Sequence, residues 1–227
     1  MTPAFEDSVY RTIRDGTQRS AAVVAPMLLG HLSLGDRTPQ VLDVGCGEGW
    51  WGFELQRLGC RVVSIDQEAP GEVAPGVQIH ELDLEAPDYM LLPRNGYDLG
   101  VCLEVAEHLT APAGERLVAE LCASCRVIAW SAAIPGQGGH GHVNERWPTY
   151  WAELFKAHGY VLADPWRDAL WDDPDVEPWY AQNLVLAQRA SEGALAEWPA
   201  PRCLVHPTIW LHHRQASGWL NLPDGVA

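Results

Sequence analysis

The chain has 227 residues, of which 47% are apolar and 20% charged, and its net charge is −15. That length fits one large domain, or one domain with a modest extension, and the apolar fraction offsets the entropy of ordering a core, which excludes a disordered chain. Lys156 is the single lysine, so the basic stripe that displaces counterions from phosphates is missing and a nucleic-acid partner is not expected.

Residues 1–36 come first. Met1–Asp15 mixes acids and arginines with no apolar leader segment, so a secretory signal is not expected and a cytoplasmic location follows. Pro3–Leu34 has helical spacing, with Val9, Ile13, Val23, Val24, Met27 and Leu28 as an apolar stripe, and predicts one or two helices capping the entrance to a core domain. The apolar run Ala21–Leu29 contains a proline and falls far short of the roughly 20 residues that cross a bilayer. No membrane partner is expected.

From Gln40 the pattern changes to short β-rich runs separated by helical stretches, as in a parallel sheet with crossover helices. Strands are predicted at Val41–Val44, Arg61–Ile65, Val77–Leu82, Tyr97–Leu103 and Cys125–Ser131. Amphipathic helices fall at Trp50–Leu58 and Ala113–Cys122, and a third, Pro148–His158, stops at Gly159 as a C-cap glycine stops one. Tyr160–Ala163 and Asn183–Gln188 are two further strands, joined by Asp164–Gln182, a Trp-, Asp- and Pro-rich loop that reads as an irregular lid or interaction surface. The expected architecture is α/β: a seven-stranded, mostly parallel sheet with helices on both faces over residues 37–190, an N-terminal helical cap, and a C-terminal extension over residues 191–227. That extension packs either on the domain or on a second subunit, which leaves a homodimer open.

The six cysteines, Cys46, Cys60, Cys102, Cys122, Cys125 and Cys203, lie mostly in apolar segments, which suits reduced thiols better than a disulfide framework. Cys122 and Cys125 form a C-x-x-C, but no second pair completes a zinc site.

The strongest motif is Val41-Leu42-Asp43-Val44-Gly45-Cys46-Gly47-Glu48-Gly49-Trp50, an apolar strand running into a glycine-rich turn and then a helix. Glycines there allow positive φ and close approach of backbone to a ligand, while the helix offers free N–H groups. The spacing G-x-G-x-G differs from the G-x-G-x-x-G of dinucleotide-binding turns. This stretch resembles motif I of the class I S-adenosylmethionine-dependent methyltransferases, and the likeness continues in order through Val62–Asp66, His80–Leu84 and Tyr97–Glu104. The resemblance implies a Rossmann-like fold and S-adenosyl-L-methionine as cofactor. It implies that Asp43 helps hold the methionyl end, Asp66 accepts the ribose hydroxyls, Asp83 and Leu84 meet the adenine, and the fourth strand flanks the methyl group. The cofactor-binding set carried over is Asp43, Gly45, Cys46, Gly47, Gly49, Trp50, Asp66, Gln67, Asp83, Leu84 and Leu103.

Glu104-Val105-Ala106-Glu107-His108 follows the fourth strand. On a helix Glu104, Glu107 and His108 share one face, and two carboxylates with an imidazole suit a divalent cation. The run is similar to that of ubiquinone-pathway O-methyltransferases and small-RNA 2′-O-methyltransferases, which implies magnesium or manganese on Glu104, Glu107, His108 and a downstream histidine. His142 is favoured for that place by its H-x-x-E register with Glu145, and His140 is the reserve. The chemistry implied is in-line displacement at a sulfonium methyl by a hydroxyl of a small-molecule acceptor, such as a sugar, nucleoside or natural-product intermediate. A cation stabilises the alkoxide, or a neutral histidine among His108, His140 and His142 accepts the proton. The alternatives are a metal-independent N-, C- or carboxyl-methyltransferase and a non-catalytic methyltransferase-like partner. Trp166, Trp171 and Trp179 are candidates to line the acceptor cleft.

Overall fold

The computed structural model describes residues 7–32, 34–91, 93–190 and 198–216. The predicted helical segments before Asp7, and the parts of the extension at 191–197 and 217–227, lie outside them. The chain opens with one long helix, α1 (Asp7–His31), where one or two had been expected; Pro26 sits inside it without ending it. There follow β1 (Gln40–Val44), α2 (Trp50–Arg57), β2 (Arg61–Asp66), β3 (Ile79–Glu81), β4 (Tyr97–Leu103), α3 (Ala111–Ser124), β5 (Cys125–Ser131), α4 (Pro148–Ala157) and β6 (Tyr160–Ala163). Two short helices, α5 (Arg167–Leu170) and α6 (Pro178–Asn183), occupy the stretch read as irregular, and β7 (Val185–Arg189) and α7 (Pro207–Ala216) come last.

The sheet runs β3-β2-β1-β4-β5-β7-β6. The first five strands are parallel, and β7 enters antiparallel between β5 and β6. Period-two alternation sorts the strand side chains onto two cores. Val41, Leu99, Val101 and Ala129 face α1, α2, α5 and α6, and pack with Val24, Leu28, Trp51, Leu55 and Leu170. Leu42, Val44, Cys102 and Trp130 face α3 and α4, with Leu117, Leu121, Trp151 and Phe155. Each fully buried leucine or tryptophan here contributes roughly 1.5–3 kcal/mol through the apolar area it removes from water. Strand order reverses between β1 and β4, and such a switch point opens a crevice at the carboxyl ends of the strands.

Two boundaries shift for local reasons. β3 is three residues long, within the six predicted, because Val77 closes a turn onto Ala74 and pairing starts only at Ile79. β7 begins at Val185 because Asn183 and Leu184 finish and cap α6. All six cysteines are free and five are buried. No helix among the described residues is long and apolar enough to cross a membrane.

Candidate active site

β1 ends in a loop whose three glycines take left-handed φ values of 68° (Gly45), 54° (Gly47) and 81° (Gly49). Side chains there are strained, and all three positions are crowded as well: a Cβ on Gly45 would lie 2.4 Å from a Val105 methyl, one on Gly47 2.8 Å from the Tyr10 ring, and one on Gly49 2.7 Å from a Val77 methyl. The loop is stapled to β2, since the Gly45 and Cys46 amides donate to the Ile65 carbonyl and the Gly47 amide donates to Asp66 Oδ2 at 2.7 Å. Above it opens a cleft of about 800 Å³. Its walls come from the glycine loop, the ends of β2 and β4, the segment 137–142, α1 and α6.

Of the predicted cofactor set, Gly45, Cys46, Gly47, Trp50, Asp66, Gln67, Asp83, Leu84 and Leu103 line this cleft. Asp43 and Gly49 stand behind the wall. Gly49 is the left-handed N-cap of α2, and Asp43 is buried beneath the loop, where its Oδ2 accepts the Gly52 amide at 3.1 Å. Burial pushes the Asp43 carboxyl up to about 7, against the lowering effect of the Gly52 hydrogen bond. Because the folded value lies above the unfolded one, ionising Asp43 costs stability as pH rises from about 4 through 7. Asp43→Asn keeps an acceptor for Gly52 and removes the charge. Its melting temperature relative to the wild type should therefore be higher at pH 8 than at pH 5 in thermal unfolding of the unliganded proteins; an offset independent of pH would refute the assignment.

At the far end of the cleft, the acids and histidines are arranged differently from the single helical face expected. β4 ends at Leu103, and the next residue, Glu104, is in the left-handed region (φ 55°), an uncommon conformation for a non-glycine residue that often marks a functional site. A 3₁₀ turn, Ala106–His108, starts only afterwards, so Glu104 stands off the turn that carries Glu107 and His108. The ligand atoms of Glu107, His108 and His142 lie within 4.8 Å of one another. The His108 and His142 rings meet edge to face with centroids 4.9 Å apart. Glu104 is held beside this trio by Asn183 Nδ2 at 3.1 Å and Gln137 Nε2 at 3.0 Å. His140 is exposed on the lining loop.

Glu107 is fully buried and neither of its oxygens meets a hydrogen-bond partner among the described residues. Burial, and then the neighbouring Glu104, push its carboxyl well above the usual range. Two orphaned oxygens beside two imidazoles fit a hard or borderline divalent cation such as magnesium or manganese, and left alone they favour a proton. Burial, with His142 adding to it, lowers His108 to about 4, so its ring is neutral at pH 7, as a ligand or a base must be. Glu145 sets His142 from behind: its Oε1 lies 3.0 Å from His142 Nδ1, and its carboxylate accepts the Gly136 and Gly138 amides at 2.7 Å each. Burial alone would raise Glu145, yet these bonds outweigh it and hold it below the ordinary glutamate value.

Several lining groups had no signal in the sequence. Arg14 of α1 reaches over the glycine loop to Glu48, with Nε 2.8 Å from Oε2, and also pairs with Glu72 at 2.8 Å. Trp50 Nε1 donates to the same Glu48 carboxylate at 3.0 Å. Tyr10 and Thr17 line the cleft beside Arg14, together with Ile13 of the predicted capping stripe. Of the candidate tryptophans only Trp179 lines it; Trp166 packs on His31 and Trp171 on His206.

A seven-stranded sheet with one antiparallel strand next to its end, and a glycine-lined crevice at its switch point, defines the class I methyltransferase fold. The magnesium protoporphyrin IX methyltransferase of Synechocystis, solved with S-adenosylmethionine bound, superposes with a TM-score of 0.54 at 18% identity over 80% of this chain and 83% of that one. The Burkholderia thailandensis 1,6-didemethyltoxoflavin N1-methyltransferase, solved with 1,6-didemethyltoxoflavin and S-adenosylhomocysteine, gives 0.54 at 22% identity over 79% and 82%.

Residues 41–127 match the model of a methyltransferase-domain family. Two ubiquinone biosynthesis O-methyltransferases are similar in sequence. That of Shewanella pealeana is 34% identical over 91 residues, 37% of each chain. That of Xanthomonas axonopodis pv. citri is 31% identical over 120 residues, 48% of each. The chain thus matches less than half the length of these curated relatives.

Proposed function

We propose that the protein transfers a methyl group from S-adenosyl-L-methionine to a hydroxyl of a small molecule, with residues 37–190 as the catalytic unit, 1–36 as its cap and 191–227 as an extension. One observation carries the reading: a single cleft joins the glycine loop and Asp66 at one end to Glu107, His108 and His142 at the other. The names of the similar ubiquinone-pathway enzymes favour oxygen as the atom methylated.

The glycine loop and Asp66, with Gln67, Asp83 and Leu84 beyond, would hold the cofactor, whose sulfonium methyl supplies the electrophile. A divalent cation on Glu107, His108 and His142 would supply Lewis acidity toward the acceptor oxygen. The chain's own work is to position and to manage a proton. Leu103 and Val105 exclude water at the β4 end, Glu145 fixes the His142 ring, and neutral His108 accepts the acceptor's proton or keeps its lone pair for a cation. A metal-independent reading has His108 as base, since its ring lines the cleft edge to face with His142 and is neutral at pH 7.

The test is calorimetry with S-adenosylhomocysteine, followed by mass spectrometry of turnover on hydroxylated acceptors with and without chelator. The wild type should bind the nucleoside, and Asp66→Ala should bind about 10²-fold more weakly, the cost of leaving ribose hydroxyls without a charged acceptor. Absence of binding by the wild type would discard the reading in favour of a non-catalytic partner. Full turnover in chelator would discard the cation and leave His108 as base.

A further inference from the structure

We infer that Gln182 and Gln137 form a one-way chain of amides that links the docked segment 198–216 to the carboxylate of Glu104, which makes Gln182 a positioning residue for the site; its use in turnover rests on the methyltransferase reading. Gln182 and Asn183 are buried to 1% and 3% exposure on α6, where polar side chains are retained only if their hydrogen bonds are made.

The direction of the chain is fixed by groups that have no choice. The His206 backbone N–H can only donate, and it lies 2.7 Å from Gln182 Oε1. Gln182 must then turn its NH₂ inward, 2.9 Å from Gln137 Oε1. That oxygen also accepts the Ile134 backbone N–H at 3.3 Å and Asn183 Nδ2 at 2.9 Å. Gln137 is left with its own NH₂ pointing out, 3.0 Å from Glu104 Oε2. Two backbone amides thus set the polarity of every side chain on the path. The receiving residue is the one held in a left-handed conformation, its own amide 3.0 Å from both the carbonyl and the hydroxyl oxygen of Ser131. Glu104 is therefore presented as a fixed acceptor next to the trio rather than a free rotor. The extension takes part by supplying the first donor, and His206 is kept in place by a bond of 2.8 Å to the Trp171 carbonyl.

The experiment uses the full chain and Gln→Met substitutions, which keep side-chain length and remove both polar ends. Gln137 does not touch His206, yet without it the Gln182 amide keeps only Asn183 Oδ1 as acceptor and loses one of the two bonds that hold its orientation. In Gln137→Met, hydrogen exchange of the His206 amide should accelerate relative to distant protected amides, a result independent of any activity. Unchanged exchange would overturn the relay. For turnover, Gln137→Met should lower kcat about tenfold, as losing a hydrogen bond to a charged group does, and Gln182→Met, which removes the partner orienting Gln137, should lower it less, with KM and S-adenosylhomocysteine affinity near wild type in both. The double variant Gln137→Met/Gln182→Met should lose less than the product of the two single losses, because the residues share the path through Gln137 while Asn183 supplies a second one. Multiplicative losses, or a loss confined to KM, would overturn the positioning role. If the wild type transfers no methyl group, the methyltransferase reading fails while the exchange result still decides the relay.

Discussion

His108→Ala should lower the turnover number by about 10²- to 10⁴-fold, the range for removing a positioned proton acceptor, and leave S-adenosylhomocysteine affinity close to that of the wild type. The two measurements separate because the residues are separated. Asp66 and the glycine loop stand at the end of β2 and β1, whereas His108 stands on the turn after β4, against His142. The imidazole is neutral over the working range because burial lowers it to about 4, so its lone pair is available whether it binds a cation or takes a proton. The check is calorimetry beside steady-state kinetics. Parallel losses in binding and in rate would mean that His108 shapes the nucleoside pocket and that the division of labour is wrong.

Gly45→Ala should abolish measurable nucleoside binding and also lower stability. The residue sits at φ 68°, where a side chain costs about 1–2 kcal/mol, and the new methyl would lie 2.4 Å and 2.8 Å from the two Val105 methyl carbons. Val105 is itself buried and follows the constrained Glu104, so it has little room to yield, and overpacking adds about 1–3 kcal/mol. Relief comes by pushing the loop into the cleft, which is where the ligand belongs. Trimming Val105 to alanine in the same chain should recover part of the melting temperature. If Gly45→Ala melts and binds like the wild type, the loop is not the cradle described.

The sheet was readable in the residues because strands of a parallel sheet are short runs of Val, Ile and Leu punctuated by glycine, and β1, β2, β4 and β5 declare themselves that way, while β6, an edge strand, is marked by the Gly159 that stops α4 just before it. The loop at residues 45–49 was readable for a related reason: its glycines are required by backbone conformation. Spacing misled at Glu104, where the E-x-x-E-H pattern fits a helical face but a left-handed residue intervenes and the turn begins at Ala106. Asp43 was readable as important but not as buried behind the wall. Nothing local announced Arg14 over Glu48, or the amides of Gln137, Gln182 and Asn183, since these contacts join residues 33 to 79 positions apart. Periodicity sees neighbours along the chain, and such groups become neighbours only when the fold closes.

The roof of the cleft is built from Tyr10, Ile13, Arg14 and Thr17, which belong to about the first three turns of α1. Anything fused ahead of that helix is therefore tethered directly to the doorway of the chamber. A purification tag there would compete with incoming compounds for the same threshold, and the clasp of Arg14 on Glu48 and Glu72 would be the first thing it loosens. Preparations meant for acceptor screening are better freed of such a tag, and traffic through this doorway should quicken as ionic strength weakens the exposed Arg14–Glu72 half of the clasp.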